Sequence, residues 1–292
     1  MFLRIAAHVR AAPGTGAPMA KKKTPANVPS TTAAGVQRIL NCLPSPNTET
    51  DFRFRHAADA GLLTAGPRAT PASKDLREAW WEIGDQGATG SCVGWATADG
   101  LLRWHFVSAA RAPKSPKLSP RFTWMAAKET DQYVAQPTTF IETDGTSLKA
   151  ALDVSRKWGA VSNTVLPFES GKLYDGEVAT FYAISTQLKI AAYFNLGTNL
   201  SDWRQWIAHN GPILTRLNVD STWDNATQTK GRMTTYRPAT VRGGHAVALV
   251  GYTSRGFIVR NSWGTSWGDK GFGYPSNAYA SKAFTEAYGV TV

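Results

Sequence analysis

The hydrophobic periodicity of this 292-residue chain changes along its length, and this change constrains the fold more than any other feature. Helical spacing of apolar residues comes first, in segments at about 92–107, from 120 onward, 147–158 and 201–210. Strand-length runs dominate later, at 188–194, 212–219, 245–252 and 257–260. Helices first and strands later predict an α+β fold with two lobes, a mainly helical one and a β-barrel-like one. A cleft between such lobes is where a ligand would lie.

Local signals set the ends of the predicted helices. Ser119 and Pro120 are typical of an N-cap and a first-turn proline. Gly159 is placed to end the helix over 147–158 in a left-handed conformation. Gly211 and Pro212 end the helix over 201–210.

One cysteine stands at the start of the first predicted helix, at the end of a glycine-rich turn. Residues 85–96 read Asp-Gln-Gly-Ala-Thr-Gly-Ser-Cys-Val-Gly-Trp-Ala, with Cys92 eighth. His245 follows two glycines and opens an apolar strand, and Asn261 ends the next strand. A cysteine with His and Asn at long range is the outline of a thiol nucleophile, its base and the group that orients the base. A helix N-terminus favours the thiolate that such chemistry needs.

These phrases, together with Asn-Ser-Trp-Gly-Thr-Ser-Trp-Gly at 261–268, resemble the papain-like cysteine peptidases of the bacterial type, over roughly residues 70–292. The resemblance implies a papain-like two-lobed fold and a cysteine endopeptidase that acts through an acyl-thioester intermediate. It assigns Cys92 as nucleophile, His245 as general base and acid, and Asn261 as the residue that orients His245. By the same resemblance, Gln86 and the Cys92 backbone N–H stabilise the oxyanion. Val93 departs from the family, which often has Trp there, and we expect this helix-packing position to tolerate the change.

The resemblance also suggests where a substrate binds. It places Gly145 and Thr146 on the edge that pairs with an extended peptide, and Leu148, Gly244 and Ala246 around the pocket for the second residue before the cut. The alternative for all five is loop and core packing. Trp263 is the sixth predicted substrate-binding residue, and it is also expected to cover the hydrogen bond between His245 and Asn261. The loop 220–243, with Trp223 and Arg232, is expected to overhang the cleft.

The domain boundary is predicted near residue 70, because Asp75-Leu76-Arg77 resembles the opening of the mature domain. Residues 1–70 are then an N-terminal extension, an inhibitory propeptide that is partly disordered, and residues 71–292 are the catalytic domain. The extension lacks the long helical pattern of the usual inhibitory propeptide. Inhibition would have to come from a shorter, strand-like segment laid over the cleft. Within it, residues 36–43 are predicted to form one or two helical turns, and 43–47 an extended path.

Charge is concentrated at the N-terminus. Six of the net +11 charges precede the first acidic residue, Glu49, and belong to Arg4, Arg10, Lys21, Lys22, Lys23 and Arg38. A solvated tail is the preferred interpretation. An arm that binds a polyanion or nucleotide, or an acidic surface of its own enzyme domain, is the alternative, and no nucleic-acid motif favours it. Residues 1–20 do not form a good signal peptide, and no apolar run of 18 residues predicts a transmembrane helix.

Cys42 and Cys92 are the only cysteines, which excludes a framework of several disulfides. A packed free thiol is the preferred interpretation of Cys42, and a Cys42–Cys92 redox lock is the alternative. No metal motif is present and no cofactor is implied. The predicted partners are a peptide or protein substrate and the chain's own N-terminal segment, in a monomer, with the compartment left open. Two rival functions remain: a papain-fold amidase that acts on a non-protein amide, and a polyanion- or nucleotide-binding protein with a locked peptidase site.

Overall fold

A computed structural model describes residues 30–31, 37–62, 69–130, 144–169 and 174–292. The basic residues at positions 4–23, most of the segment 11–35 and most of the loop 63–72 lie outside this described part. The predicted α+β class is confirmed, with helices packed against a mixed sheet. No helix in the described ranges is long and apolar enough to cross a membrane.

The central helix (residues 92–108) is the buried axis of the helical lobe. It is continuous and passes from an α segment at Cys92–Gly94 through a π segment at Trp95–Leu102 to an α segment at Arg103–Ser108. The other helices are Phe54–Asp59, Pro120–Thr130, Leu148–Lys157, Val178–Ser185, Leu200–Asn210 and Asn277–Ala283. The four helices predicted at about 92–107, from 120 onward, at 147–158 and at 201–210 are therefore all found.

The residues predicted to cap or end the helices do so in the structure. The Ser119 hydroxyl accepts a hydrogen bond from the Phe122 N–H at 3.1 Å, and the Ser147 side chain caps the next helix through the Ala150 N–H at 3.3 Å. Gly159 has a φ of 91°, the left-handed conformation that glycine adopts most easily.

An eight-stranded sheet forms the second lobe. Its path runs Ala192–Asn195, Phe284–Thr291, Ile213–Val219, Gly243–Tyr252, Phe257–Arg260, Phe272–Pro275 and Arg232–Met233. Lys74–Asp75 pairs with Gly243–Tyr252 off this path. Pairing is antiparallel apart from the last neighbours, Phe272–Pro275 and Arg232–Met233, which are parallel. Ser30–Thr31 and Gln37–Arg38 form a separate two-stranded sheet.

A buried ion cluster joins the two lobes. Asp99 on the central helix is fully buried and accepts hydrogen bonds from Arg103 at 3.0 Å and from Arg260 at 2.6 Å. Breaking such a buried network leaves an uncompensated charge, so the cluster holds its members in one arrangement. Because Arg260 immediately precedes Asn261, the cluster fixes the strand that carries Asn261 against the helix that begins at Cys92.

Two local predictions are wrong. Residues 36–43 form no helical turn in the described part: Gln37–Arg38 is a strand, and Asn41 and Leu43 make isolated bridges to Gly244 and Ser147. The reason is tertiary, because both lobes offer backbone groups that satisfy this segment only when it is extended. The strand predicted at 188–194 is confined to Ala192–Asn195, and a 3₁₀ turn occupies Thr186–Leu188.

Candidate active site

Cys92 lies at the junction of the two lobes, at the first residue of the central helix. It is fully buried, in an apolar cluster with Leu148 and Ala246. The first N–H groups of a helix have no intrahelical acceptor, so they provide partial positive charge and free donors around the thiol. The pKa of Cys92 lies well below its ordinary value, because of hydrogen bonding to Cys42 first and of His245 second, while burial acts in the opposite direction.

His245 is held between Cys92 and Asn261. Its Nε2 lies 2.8 Å from the Asn261 Oδ1, and because an amide oxygen only accepts, this nitrogen carries the proton. Among the described residues, no nitrogen or oxygen bonds to the His245 Nδ1, which is the nitrogen left to face the Cys92 thiol. Asn261 is itself held, since its Oδ1 also accepts the Ser262 N–H at 2.8 Å. The imidazole is therefore in the tautomer that takes a proton from a thiol.

Aromatic rings enclose this hydrogen bond. The Trp263 ring lies 4.8 Å from the His245 ring and is 1% exposed, as expected for a residue that keeps water away. Trp223, from the loop 220–243, contacts both the His245 ring, edge-on at 5.6 Å, and the Trp263 ring, at 5.4 Å. It is buried beneath the site and does not overhang it. Arg232 lies beside Tyr274 at the far end of the sheet, so this part of the loop prediction is wrong.

Gln86 lies on the turn before the central helix and is completely buried. Its Oε1 accepts the Ser262 hydroxyl at 2.8 Å, and its Nε2 donates to the Thr89 carbonyl at 2.9 Å. An amide nitrogen has two hydrogens, so one donor is left over from these contacts. The sequence neighbour of Asn261 thus orients the side chain that is predicted to bind the oxyanion.

Residues 37–47, here called the strap, cross the groove between the lobes. The Cys42 N–H donates to the Gly244 carbonyl at 2.9 Å, and the Leu43 N–H donates to the Thr146 carbonyl at 3.0 Å. These two acceptors belong to different lobes, so the strap pairs with both walls of the groove. Extended peptides bind grooves through backbone hydrogen bonds of this kind.

The strap is anchored at both ends. At one end the buried Arg38 forms an ion pair with Asp85 and donates to the carbonyls of Gly87 and Trp263 at 3.0 and 3.1 Å. At the other end the Ser45 N–H donates to Glu286 at 3.0 Å. Lys149 continues this second anchor, with an ion pair to Asp51 and a hydrogen bond to the Asn47 carbonyl.

Five of the six predicted substrate-binding residues lie along the strap. Added Cβ atoms on Gly145 and Gly244 would come within 1.9 and 2.2 Å of the carbonyl oxygens of Asn41 and Cys42, so only glycine allows the strap so close. Thr146 supplies the carbonyl described above, and Leu148 and Ala246 form the apolar floor. The sixth, Trp263, packs against His245, and its carbonyl accepts the hydrogen bond from Arg38 at one end of the strap.

Three contributors to the site were not predicted in the roles they have here: the sequence offers contact of Cys42 with Cys92 only as an alternative, places Trp223 over the cleft, and assigns no role to Arg216. Cys42 reaches Cys92, Trp223 packs against His245, and Arg216 donates to the Cys42 carbonyl at 3.0 Å. The scarcity of cysteine is the signal behind the alternative that pairs Cys42 with Cys92. Arg216 gives no local signal, because its position opposite Ala246 depends on strand pairing.

Comparison with known proteins gives the family of the chain and the proteins that share its fold. The family described as papain family cysteine protease matches residues 70–284. The chain belongs to this family. It is 27% identical to Cathepsin B-like CP3 of Giardia intestinalis over 235 residues, which are 75% of this chain and 73% of that protein.

Two solved structures share the fold. Xylellain, a cysteine protease from Xylella fastidiosa, has a TM-score of 0.72 at 19% identity, over 93% of this chain and 99% of that one. The proCathepsin B S9 of Trypanosoma congolense has a TM-score of 0.62 at 17% identity, over 86% of each. The predicted papain-like fold and the predicted class, a cysteine-type peptidase, are thereby confirmed.

Proposed function

We propose that the protein is a cysteine endopeptidase that cuts peptide or protein substrates with Cys92, His245, Asn261 and Gln86, and that its N-terminal segment restrains it. The observation that carries the proposal is the position of His245, between a thiol of lowered pKa and a fixed amide oxygen. This arrangement activates a thiol and keeps the imidazole oriented through the reaction.

In the proposed mechanism, the Cys92 thiolate attacks the scissile carbonyl carbon. The remaining Gln86 N–H and the Cys92 backbone N–H bind the oxyanion that forms. His245 then donates its proton to the leaving amine, and the acyl thioester remains on Cys92. Water, deprotonated by His245, hydrolyses the thioester and restores the thiolate.

The position of the strap in the groove supports the proposal that the N-terminal segment inhibits the enzyme. The strap uses the Gly244 and Thr146 carbonyls, which an extended substrate would need, and its Cys42 reaches the nucleophile. A substrate and the strap cannot occupy this groove together. We therefore propose that the boundary near residue 70 separates an inhibitory extension from the catalytic domain, and that a full-length molecule turns over substrate only when the strap lifts.

The test is labelling of the full chain with a fluorescent epoxysuccinyl peptide, followed by location of the label and by turnover of dipeptidyl fluorogenic substrates. We expect the label on Cys92, much slower labelling in His245→Ala, and neither label nor turnover in Cys92→Ala. Turnover in Cys92→Ala at the wild-type rate would overturn the proposal. A label on Cys92 without hydrolysis of any peptide would favour the non-protein amide instead.

A further inference from the structure

The only two cysteines of the chain meet in the active site. Cys42 is 2% exposed and Cys92 is fully buried, and both belong to one apolar cluster. Cys42 comes from the strap and Cys92 from the central helix, 50 positions later in sequence. Their contact is therefore a property of the closed strap.

The backbone of Cys42 is fixed on both sides of its α-carbon. Its N–H donates to the Gly244 carbonyl at 2.9 Å, and its carbonyl accepts from the Arg216 Nε at 3.0 Å. Bridges at Asn41 and Leu43, one to each wall of the groove, hold the neighbouring residues in extended form. The Cys42 side chain consequently enters the apolar cluster that contains Cys92. Its Sγ donates to the Leu43 carbonyl at 3.8 Å, and the proximity of the two thiols shifts the pKa of each.

We propose that Cys42 and Cys92 form a reversible disulfide that locks the strap over the active site. This inference rests on the proposed function, since it assigns a regulatory state to the proposed nucleophile. The bond is a covalent extension of the hydrogen bonds and ion pairs that already hold the strap. When the disulfide is formed, the strap can no longer lift from the groove.

Oxidation to a disulfide requires one reactive thiolate and a second thiol beside it, and the pKa values of the two cysteines differ in this sense. With the strap closed, Cys42 first and His245 second lower the pKa of Cys92, and when the strap lifts His245 and the helix N-terminus still favour the Cys92 thiolate. Burial first and the neighbouring Cys92 second raise the pKa of Cys42 well above the ordinary value. A thiolate of low pKa reacts with peroxide, and a second thiol close by resolves the product.

Hydrogen peroxide is the proposed oxidant. When the strap lifts, the Cys92 thiolate attacks one peroxide oxygen, so an S–O bond forms, the O–O bond breaks and hydroxide leaves. When the strap returns, the Cys42 sulfur attacks the sulfur of the sulfenic acid, the S–S bond forms and the S–O bond breaks. The Cys42 proton joins the leaving hydroxide to give water. A small dithiol reverses the reaction by two exchanges and is itself oxidised to a disulfide.

The test treats the reduced full chain with hydrogen peroxide and maps its peptides by mass spectrometry without reduction. We expect an intramolecular cross-link between the peptides containing Cys42 and Cys92, with the mass lowered by the two thiol hydrogens. Dithiothreitol should then restore epoxysuccinyl labelling of Cys92 almost completely. In Cys42→Ser, which keeps a side chain of similar size, the same dose should drive Cys92 to sulfinic acid, and dithiothreitol should restore little labelling.

Two results would overturn the disulfide. One is a folded, peroxide-treated wild type without the cross-link. The other is equal and irreversible loss of labelling in the wild type and in Cys42→Ser. The peptide map does not depend on turnover, so a cross-link in a protein that cuts no peptide would reject the proposed function and leave the disulfide standing. If the reduced protein cuts peptides but shows no cross-link after peroxide treatment, only the disulfide is rejected.

Discussion

At the scale of single residues, each side chain that is predicted to take part in catalysis is held in place by a hydrogen bond with a second residue. Ser262 holds Gln86, and Asn261 holds His245, so two adjacent residues orient both the predicted oxyanion donor and the predicted base. The hydrogen bond between Ser262 and Gln86 joins the Asn-Ser-Trp-Gly phrase to the phrase around Cys92. The two motifs therefore form one site although they lie far apart in sequence.

Gln86→Ala is the test at this scale. Loss of one oxyanion donor is expected to lower kcat by about 100- to 1000-fold, roughly 3–4 kcal/mol in the barrier, because charge develops on the oxygen only in the transition state. Steady-state kinetics with a dipeptidyl substrate measures it, with the exposed Gln228→Ala as matched control. A change confined to KM would contradict the assigned role.

At the scale of elements, the central helix carries a buried group that the chemistry does not use. His105 is 5% exposed and lies 3.4 Å from the Pro212 carbonyl, at the contact between the helix and the sheet. Burial lowers the pKa of His105 to about 4, and the hydrogen bond to the Pro212 carbonyl acts in the other direction. The helix therefore packs on a neutral imidazole.

The pH dependence of stability follows from this shift. In the unfolded chain, His105 gains a proton near its ordinary pKa of about 6.5. The folded state takes up this proton only near pH 4. Between these values the unfolded state binds more protons, so the free energy of unfolding falls as the pH falls, by at most about 3 kcal/mol from this group.

We expect His105→Gln to reduce that loss. Urea unfolding at pH 7 and at pH 4.5 measures it, and the comparison uses the difference between the two pH values within each variant, so a general loss of stability does not enter. An equal fall in both proteins would show that His105 does not titrate as described.

At the scale of the whole molecule, the strap is the element that contacts both lobes across the groove. Arg38 is its strongest polar anchor, because the guanidinium is buried and contacts Asp85, Gly87 and Trp263 together. Hydrogen bonds to charged groups contribute about 1.5–3 kcal/mol each. A strap without this anchor should spend more time away from the groove.

Arg38→Ala is expected to raise the rate of epoxysuccinyl labelling of the full chain by roughly tenfold or more, since about 1.4 kcal/mol corresponds to a factor of ten. Arg77→Ala is the matched control, because Arg77 pairs with Asp75 at the surface and does not contact the strap. Unchanged labelling in Arg38→Ala would mean that the strap does not limit access to Cys92.

How far the sequence could predict the molecule depended on the range of the interaction involved. The ends of the helices at Ser119, Ser147 and Gly159 followed from capping and from backbone conformation, which act within a few residues. The helical turn expected at 36–43 failed because its hydrogen-bond partners, at Gly244 and Thr146, lie more than a hundred residues away. Propensity is a weak signal when distant backbone groups compete for the same segment.

The sequence by itself therefore determined the α+β class, the family and the class of chemistry, because periodicity and the phrases around Cys92, His245 and Asn261 are local patterns. The tertiary structure alone decided the course of the strap, the packing of Trp223 against His245 and the meeting of Cys42 with Cys92. These contacts arise where two lobes and an N-terminal segment converge. No local pattern encodes them, since each residue's partner is set by strand pairing and lobe packing across long stretches of chain.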